Sequence, residues 1–179
     1  PEPRLSRAVA AVVTDASVDL VIAPGSLPLP FVGPQTVQAF ITNKGVIALN
    51  NLPVTFNLTG AETFTNTQNV PFLPACGGQA TVTFAPFALS VIGSDTVRVS
   101  VPSDDVASNN SKTKPLNSTS NLYSYKYPGT TANGGVGLSG TTGAIVAKMT
   151  TTVAAKISAV NLEFFNAGAT TYRVAIYPS

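Results

Sequence analysis

The clearest pattern in the sequence is an alternation of apolar and polar residues in two segments of residues 36–59. In each segment one face is apolar, formed by Val37, Ala39 and Ile41 and then by Val54, Phe56 and Leu58. A period of two residues is the pattern of a β-strand that buries one face. Between the segments lies Asn43-Lys44-Gly45, which predicts a turn because Asn and Gly tolerate a positive φ. These segments predict the middle of an antiparallel β-sandwich.

Shorter segments on both sides of this pair predict further strands. Residues 18–22 alternate with Val18, Leu20 and Ile22 on one face, and the polar residues 62–69 predict an edge strand. Residues 79–84, 95–101 and 111–116 predict three more. About seven short strands separated by turns are typical of an immunoglobulin-like antiparallel β-sandwich, so the predicted fold is all-β. Its predicted core is Val37, Ile41, Val54, Phe56, Leu58, Val82, Phe84, Val97 and Val99.

Four motifs follow one another in a characteristic order. The first strand of the central pair ends in Thr-Asn-Lys-Gly at residues 42–45, and Gly-Gln-Ala-Thr-Val-Thr-Phe follows at residues 78–84. Gly93 precedes a valine-rich strand, and residues 104–110 read Asp-Asp-Val-Ala-Ser-Asn-Asn. In this order the motifs resemble the CARDB family, which consists of bacterial cell-adhesion-related modules with an immunoglobulin-like fold.

The resemblance covers about residues 17–116. The closing run of the family has a glutamate and a middle asparagine where this chain has Asp104 and Val106. The resemblance implies a secreted or surface-attached protein built from strings of modules. It supplies no catalytic residue.

The two ends of the chain differ from this central domain, which we predict to span residues 18–116. Residues 1–17 contain prolines, two arginines and the apolar run 8–13. They predict either a loose terminus or an extended segment that pairs with a sheet edge in this molecule or a neighbour.

Residues 117–179 predict a second, incomplete β-module that resembles the opening half of a jelly roll. Alternation predicts strands at residues 144–150, 156–165 and 171–177, with the last two forming a hairpin. Their apolar faces are formed by Val160, Leu162, Phe164, Tyr172, Val174 and Ile176. About sixty residues bury only a marginal core. We therefore expect these faces to be covered by the first domain, by another chain or by sequence outside these 179 residues.

Composition narrows the class of function. Charged residues make up 10 % of the chain, well below the ~25 % usual in soluble domains. A polar but uncharged surface is common in secreted β-proteins and predicts a secreted, extracellular or cell-surface location. The net charge of +2 comes from scattered basic residues, which argues against nucleic acid as a partner. No apolar run is long enough to span a membrane.

The sequence offers little for catalysis. It contains no histidine, which removes the usual Ser-His and Cys-His pairs and the commonest metal ligand. The acidic residues form no catalytic-looking pair, and Cys76 is best interpreted as a thiol in a turn. We therefore predict a protein that is not an enzyme and needs no cofactor.

Two groups of residues are candidates for binding. Asp104, Asp105 and Asn109 carry oxygens that suit calcium, although an Asx-rich turn whose side chains bond their own backbone is the favoured interpretation. Tyr123, Tyr125 and Tyr127 alternate, so they share one side of a predicted strand, where they either stack on a sugar ring or form the inner face of the second module.

Three functions remain open. The first is a non-catalytic structural or adhesion module whose partners are neighbouring domains of the same polyprotein. The second is a subunit of an extracellular filament whose partners are identical subunits joined by strand exchange. The third is a carbohydrate-binding accessory domain of a secreted enzyme, with glycans as the ligand.

Overall fold

The computed structural model describes residues 13–29, 31–131, 146, 148–163 and 173–177. Within these residues it contains eight β-strands and one turn of 3-10 helix, Ala107–Asn109. The strands are β1 Ala16–Ile22, β2 Ser26–Pro28, β3 Gln38–Asn43, β4 Leu49–Gly60, β5 Phe64–Leu73, β6 Gly78–Thr83, β7 Gly93–Ser100 and β8 Ser111–Thr119.

The strands form two sheets that pack face to face. The three-stranded sheet has the order β1-β3-β6, and the five-stranded sheet has the order β2-β8-β7-β4-β5. All neighbours are antiparallel except β2 and β8, which are parallel. This arrangement confirms the predicted all-β, immunoglobulin-like sandwich.

The two segments that dominate the sequence pattern lie in different sheets. β3 belongs to the three-stranded sheet and β4 to the five-stranded sheet, so their apolar faces meet across the core. All nine residues of the predicted core are buried. The prediction is confirmed here because a sheet with one buried face imposes the two-residue period on its sequence.

The first strand differs from its prediction at Leu20 and Ile22. Val18 is buried as expected, but Leu20 and Ile22 are 45 % and 43 % exposed, while Val21 is fully buried. Val18 pairs with Ile41 and Leu20 pairs with the adjacent Phe40, so Asp19 is an extra residue in β1. One extra residue turns every later side chain to the opposite face. The prediction that Leu20 and Ile22 point inward is therefore wrong.

The Asn43-Lys44-Gly45 segment turns where predicted, but for a different reason. Neither Asn43 nor Gly45 has a positive φ. Asn43 is the last residue of β3, and its buried carboxamide donates to the Ile47 and Leu73 carbonyl oxygens at 2.8 and 3.2 Å. Its Oδ1 accepts the Gly45 N–H at 3.0 Å. Gly45 is needed for space, since a Cβ there would lie 2.6 Å from the Val13 carbonyl oxygen.

The strands predicted after residue 143 are not formed where the structure describes them. Residues 148–163 and 173–177 contain no strand, and Val160, Leu162, Val174 and Ile176 are exposed. Phe164 and Tyr172 lie outside the described residues, as do residues 1–12. A strand needs a neighbour to accept its backbone hydrogen bonds, and these described residues pair with none. The division of the chain into domains stays a prediction.

Four phenylalanines join the two sheets at the centre of the core. The Phe56 ring centroid, on β4, lies 5.6 Å from that of Phe64, 5.5 Å from that of Phe84 and 5.4 Å from that of Phe87. Phe84 and Phe87 follow β6 of the opposite sheet. Phe56 is therefore in contact with both layers.

We expect Phe56→Ala to lower the free energy of unfolding by about 3–5 kcal/mol, because it removes buried apolar surface and leaves a cavity. Urea denaturation followed by circular dichroism measures the change. Phe40→Ala is the matched control, since Phe40 lies on the outer face of the three-stranded sheet, and it should cost less than about 1 kcal/mol. Equal losses for the two variants would contradict the assignment of Phe56 to the centre of the core.

Candidate functional site

Three loops and the start of β1 meet at one end of the sandwich, which we call the loop end. The loops are residues 44–48, 74–77 and 101–110. Cys76 N–H donates to the Gly45 carbonyl oxygen at 2.9 Å, and Asp105 N–H donates to the Thr14 carbonyl oxygen at 3.2 Å. The Val13 carbonyl oxygen accepts the Val46 N–H at 3.2 Å. Backbone hydrogen bonds thus tie the loops to one another and to the incoming chain.

The predicted calcium ligands lie together at the loop end, where they hold the start of β1. Asp105 Oδ2 accepts the Val13 and Thr14 N–H groups at 3.0 and 2.9 Å, and Asp104 Oδ2 accepts the Ala16 N–H at 2.7 Å. Asp104 Oδ1 also accepts the Val106 N–H within its own turn at 3.0 Å. Only the bond from Val106 to Asp104 is an Asx turn of the predicted kind, and the other three bonds hold a segment far away in the chain.

Asn109 completes this arrangement through its amide nitrogen. Its Nδ2 donates to Asp15 Oδ1 at 2.7 Å, and Asp15 is itself buried. The Oδ1 atoms of Asn109 and Asn110 are buried without a hydrogen-bond partner. Across the described part of the chain, no three His, Cys, Asp or Glu residues cluster so as to hold a metal ion. Calcium binding stays a prediction.

The contacts with the start of β1 lower the pKa of the Asp105 carboxyl. Hydrogen bonds from the Thr14 and Val13 amides hold its pKa below the ordinary value of 3.8, against a smaller opposing effect of desolvation. Because these donors are available only in the folded chain, the ionised carboxylate favours the attached start of β1.

The three tyrosines do not share one side of a strand. Residues 120–131 form only an isolated bridge between Ser124 and Ser26. The Tyr123 and Tyr125 rings meet edge to face with centroids 5.4 Å apart, and Tyr125 OH donates to the Lys148 carbonyl oxygen at 2.7 Å. Tyr127 instead donates to the Val21 carbonyl oxygen at 3.4 Å. The prediction of a common face is therefore wrong.

The surroundings of these rings favour a packing role. Burial raises the pKa of Tyr123, and a hydrogen bond with Tyr125 raises it further. Burial also raises the pKa of Tyr127, and Lys114 Nζ lies 4.3 Å from the centroid of that ring. Tyr125 is the most accessible of the three, with 52 % of its surface exposed. A flat sugar-stacking platform of three rings is not formed.

Sequence reasoning missed a groove between the open edges of β5 and β6, each of which pairs with one strand in the described residues. The groove has a volume of about 350 Å³, and Val70 and Val82 lie at its base. Asn66 Oδ1 closes one end by accepting the Ala85 N–H at 3.0 Å. The polar residues 62–69 predicted the open edge of β5, but only the pairing of the strands shows that β6 is also open and lies beside it.

The comparisons with known proteins give a similarity of fold. The chain matches no protein-family profile and no curated protein sequence. It is similar to a solution NMR structure of the CARDB domain of a protein from Pyrococcus furiosus, with 14 % identity, 62 % of this chain and 99 % of that chain covered, and a TM-score of 0.49. A crystal structure of the same domain, in complex with di-metal ions, has 15 % identity, covers 66 % of this chain and 99 % of that chain, and has a TM-score of 0.44. At these values the similarity assigns no ligand or site.

Within the described ranges, no helix is long and apolar enough to cross a bilayer.

We expect Asn43→Ala to lower the free energy of unfolding by about 2–4 kcal/mol, because it removes the bond to the Ile47 carbonyl oxygen and leaves buried backbone groups of Leu73 and Gly45 without partners. Asn69→Ala is the control, since Asn69 is exposed on β5, and its effect should stay within about 0.5 kcal/mol. Denaturant titration of both variants measures the difference. A loss for Asn43→Ala no larger than that of the control would show that this carboxamide is dispensable.

We expect the attachment of residues 13 and 14 to weaken in acid. A carboxylate with a lowered folded-state pKa stabilises the fold above its unfolded pKa, and this contribution disappears as the pH falls through the folded pKa. The Val13 and Thr14 amide NMR signals should therefore titrate at a midpoint below 3.8, the ordinary value. The same signals should not titrate in this range in Asp105→Asn. A midpoint at or above that value in the unmodified chain would contradict the hydrogen bonds to Asp105.

Proposed function

We propose that this chain is a non-catalytic structural or adhesion module of a secreted or cell-surface multidomain bacterial protein. The observation that carries the proposal is that β1 begins at one end of the sandwich and β8 ends at the other. A module of this kind joins end to end with neighbours on both sides.

The direction of the strands gives this arrangement. Ala16, the first residue of β1, pairs with Asn43, and the loop that follows Asn43 belongs to the loop end. β8 begins at Ser111, directly after the loop of residues 101–110, and runs away from the loop end to Thr119. The start of β1 and the end of β8 are therefore separated by the length of the sandwich.

The contacts at both ends support a fixed orientation of such neighbours. Asp104 and Asp105 hold the incoming segment. On the outgoing side, Ser124 accepts the Gly25 and Ser26 N–H groups at 2.8 and 2.9 Å and donates its own N–H to the Ser26 carbonyl oxygen at 3.0 Å. The sequence motifs that resemble CARDB modules, which occur in strings, favour the same function. Neighbouring domains of the same polyprotein would then be the partners.

A second candidate is a filament subunit assembled by strand exchange. The groove between β5 and β6 favours it, because open strand edges accept an added strand. The Phe84 N–H donates to the carbonyl oxygen of Val37, which directly precedes β3, so by alternation the N–H groups of Thr81 and Thr83 face the groove. The predicted donor, residues 1–17, is shortened to residues 1–12 of an identical subunit, because Ala16 and Ser17 already pair with Asn43 and Thr42 within their own sheet. A carbohydrate-binding role is the third candidate and rests on Tyr125.

The two leading candidates predict different solution behaviour. For the spacer we expect the 179-residue chain to remain monomeric in light scattering at all concentrations tested, and two copies joined in tandem to have about twice the maximum dimension of one in X-ray scattering. Concentration-dependent assembly that is lost when residues 1–12 are deleted would favour the filament subunit instead. Retention on a glycan array that is lost in Tyr125→Ala would favour the third candidate.

A further inference from the structure

We propose that the parallel pair of β2 and β8 is a shear clamp that resists unfolding when the module is pulled from its two ends. The shear clamp consists of residues 26–28 and 117–119. This inference rests on the proposed function, since tension along a string of modules enters at the loop end and reaches the end of β8 once residues 120–131 have detached from the sandwich.

The shear clamp lies at the end of β8, directly before residues 120–131, which contact the sandwich again through Ser124 and Tyr127. Ser26 pairs with Asn117, Leu27 with Ser118 and Pro28 with Thr119. Asn117 N–H donates to the Gly25 carbonyl oxygen at 2.9 Å, and Leu29 N–H donates to the Thr119 carbonyl oxygen at 2.7 Å. These two hydrogen bonds join the strands at the two ends of the paired segment.

The parallel direction of the strands decides how force acts on these bonds. Tension pulls β2 from its N-terminal side towards the loop end, and pulls β8 from its C-terminal side away from it. Parallel strands pulled in this way slide along each other, so their hydrogen bonds share the force. Two strands pulled from the same end would instead separate one bond at a time.

Other contacts keep β2 in place while the force acts. Leu27 is fully buried in the core, so β2 cannot swing outward without exposing it. The opposite edge of β2 is held by the hydrogen bonds between Ser26 and Ser124. The pulling force also shears β1 against β3. Once β1 has detached, the force acts on β2 and through it directly on residues 117–119.

The sequence of β8 allows the clamp to be weakened without disturbing its other neighbour. The Asn110 carbonyl oxygen accepts the Val101 N–H, so even-numbered residues of β8 bond β7 and odd-numbered residues face away from it. Pro115, which has no N–H, occupies one of these outward positions. Asn117→Pro therefore removes the bond to Gly25 and keeps the ladder with β7. Thr113→Pro makes the same change at an outward position that β2 does not reach.

Single-molecule pulling on the full chain tests the proposal. In the shear geometry, handles are attached through Val13→Cys and Ser120→Cys, with the native thiol removed by Cys76→Ser. In the peeling geometry, Val13→Cys is combined with Ser108→Cys, which lies at the same end of the sandwich. Forced unfolding reports the unfolding barrier along the direction of pulling, so we expect the force in shear to exceed the force in peeling by about twofold or more.

The variants separate a clamp from a general effect on stability. Asn117→Pro should lower the unfolding force in shear and leave the force in peeling unchanged, whereas Thr113→Pro should change neither. Leu29→Pro removes the second bond from the other strand and should repeat the result of Asn117→Pro, which keeps the test available if one variant fails to fold.

Equal forces in the two geometries, or equal effects of Asn117→Pro and Thr113→Pro in shear, would overturn the clamp. Such results would leave a module that links domains without resisting tension. Failure of the proposed function itself would be seen separately, as assembly of the free chain or as glycan binding.

Discussion

The contact of Phe56 with Phe84 and Phe87 is the interaction on which the rest of this structure depends. It joins the five-stranded sheet to the segment that follows β6 of the three-stranded sheet. A single sheet with one apolar face is not stable in water, so each sheet exists only because the other covers it. The positions of both ends of the chain, and of every open edge, follow from how the two sheets are held together.

Polar side chains hold the chain in place where it enters the sandwich. Asp104 and Asp105 have the composition of a cation site, yet their oxygens bind the backbone amides of Val13, Thr14 and Ala16. These amides precede or begin an edge strand and need hydrogen-bond acceptors, which the aspartates provide. The oxygens used in this way are less available to coordinate a cation. The tyrosines are used in a similar way after β8, where they pack the outgoing segment against the sandwich.

The two leading functions place different demands on the same sheet edges. A spacer has to keep the edges of β5 and β6 unpaired, and Pro71 on β5 suits that role because it cannot donate a ladder hydrogen bond. A filament subunit has to open the same groove to an added strand. The shear clamp lies at the far edge of the five-stranded sheet, next to β8, so a strand added between β5 and β6 would not disturb it.

The sequence by itself determined the all-β fold, the position of the strands between residues 36 and 116, and the core, because a strand with one buried face leaves a two-residue period that needs no partner to be recognised. Only the tertiary structure decided which strands pair, which is why the parallel contact of β2 with β8 and the open edge of β6 had no signal in the sequence. It also decided the exposure of Leu20 and Ile22, since an extra residue in β1 is visible only against β3. The roles of Asp105 and Asn43 were also decided only by the tertiary structure. Their hydrogen-bond partners include residues far away in the chain, and the alternation along one segment carries no information about those partners.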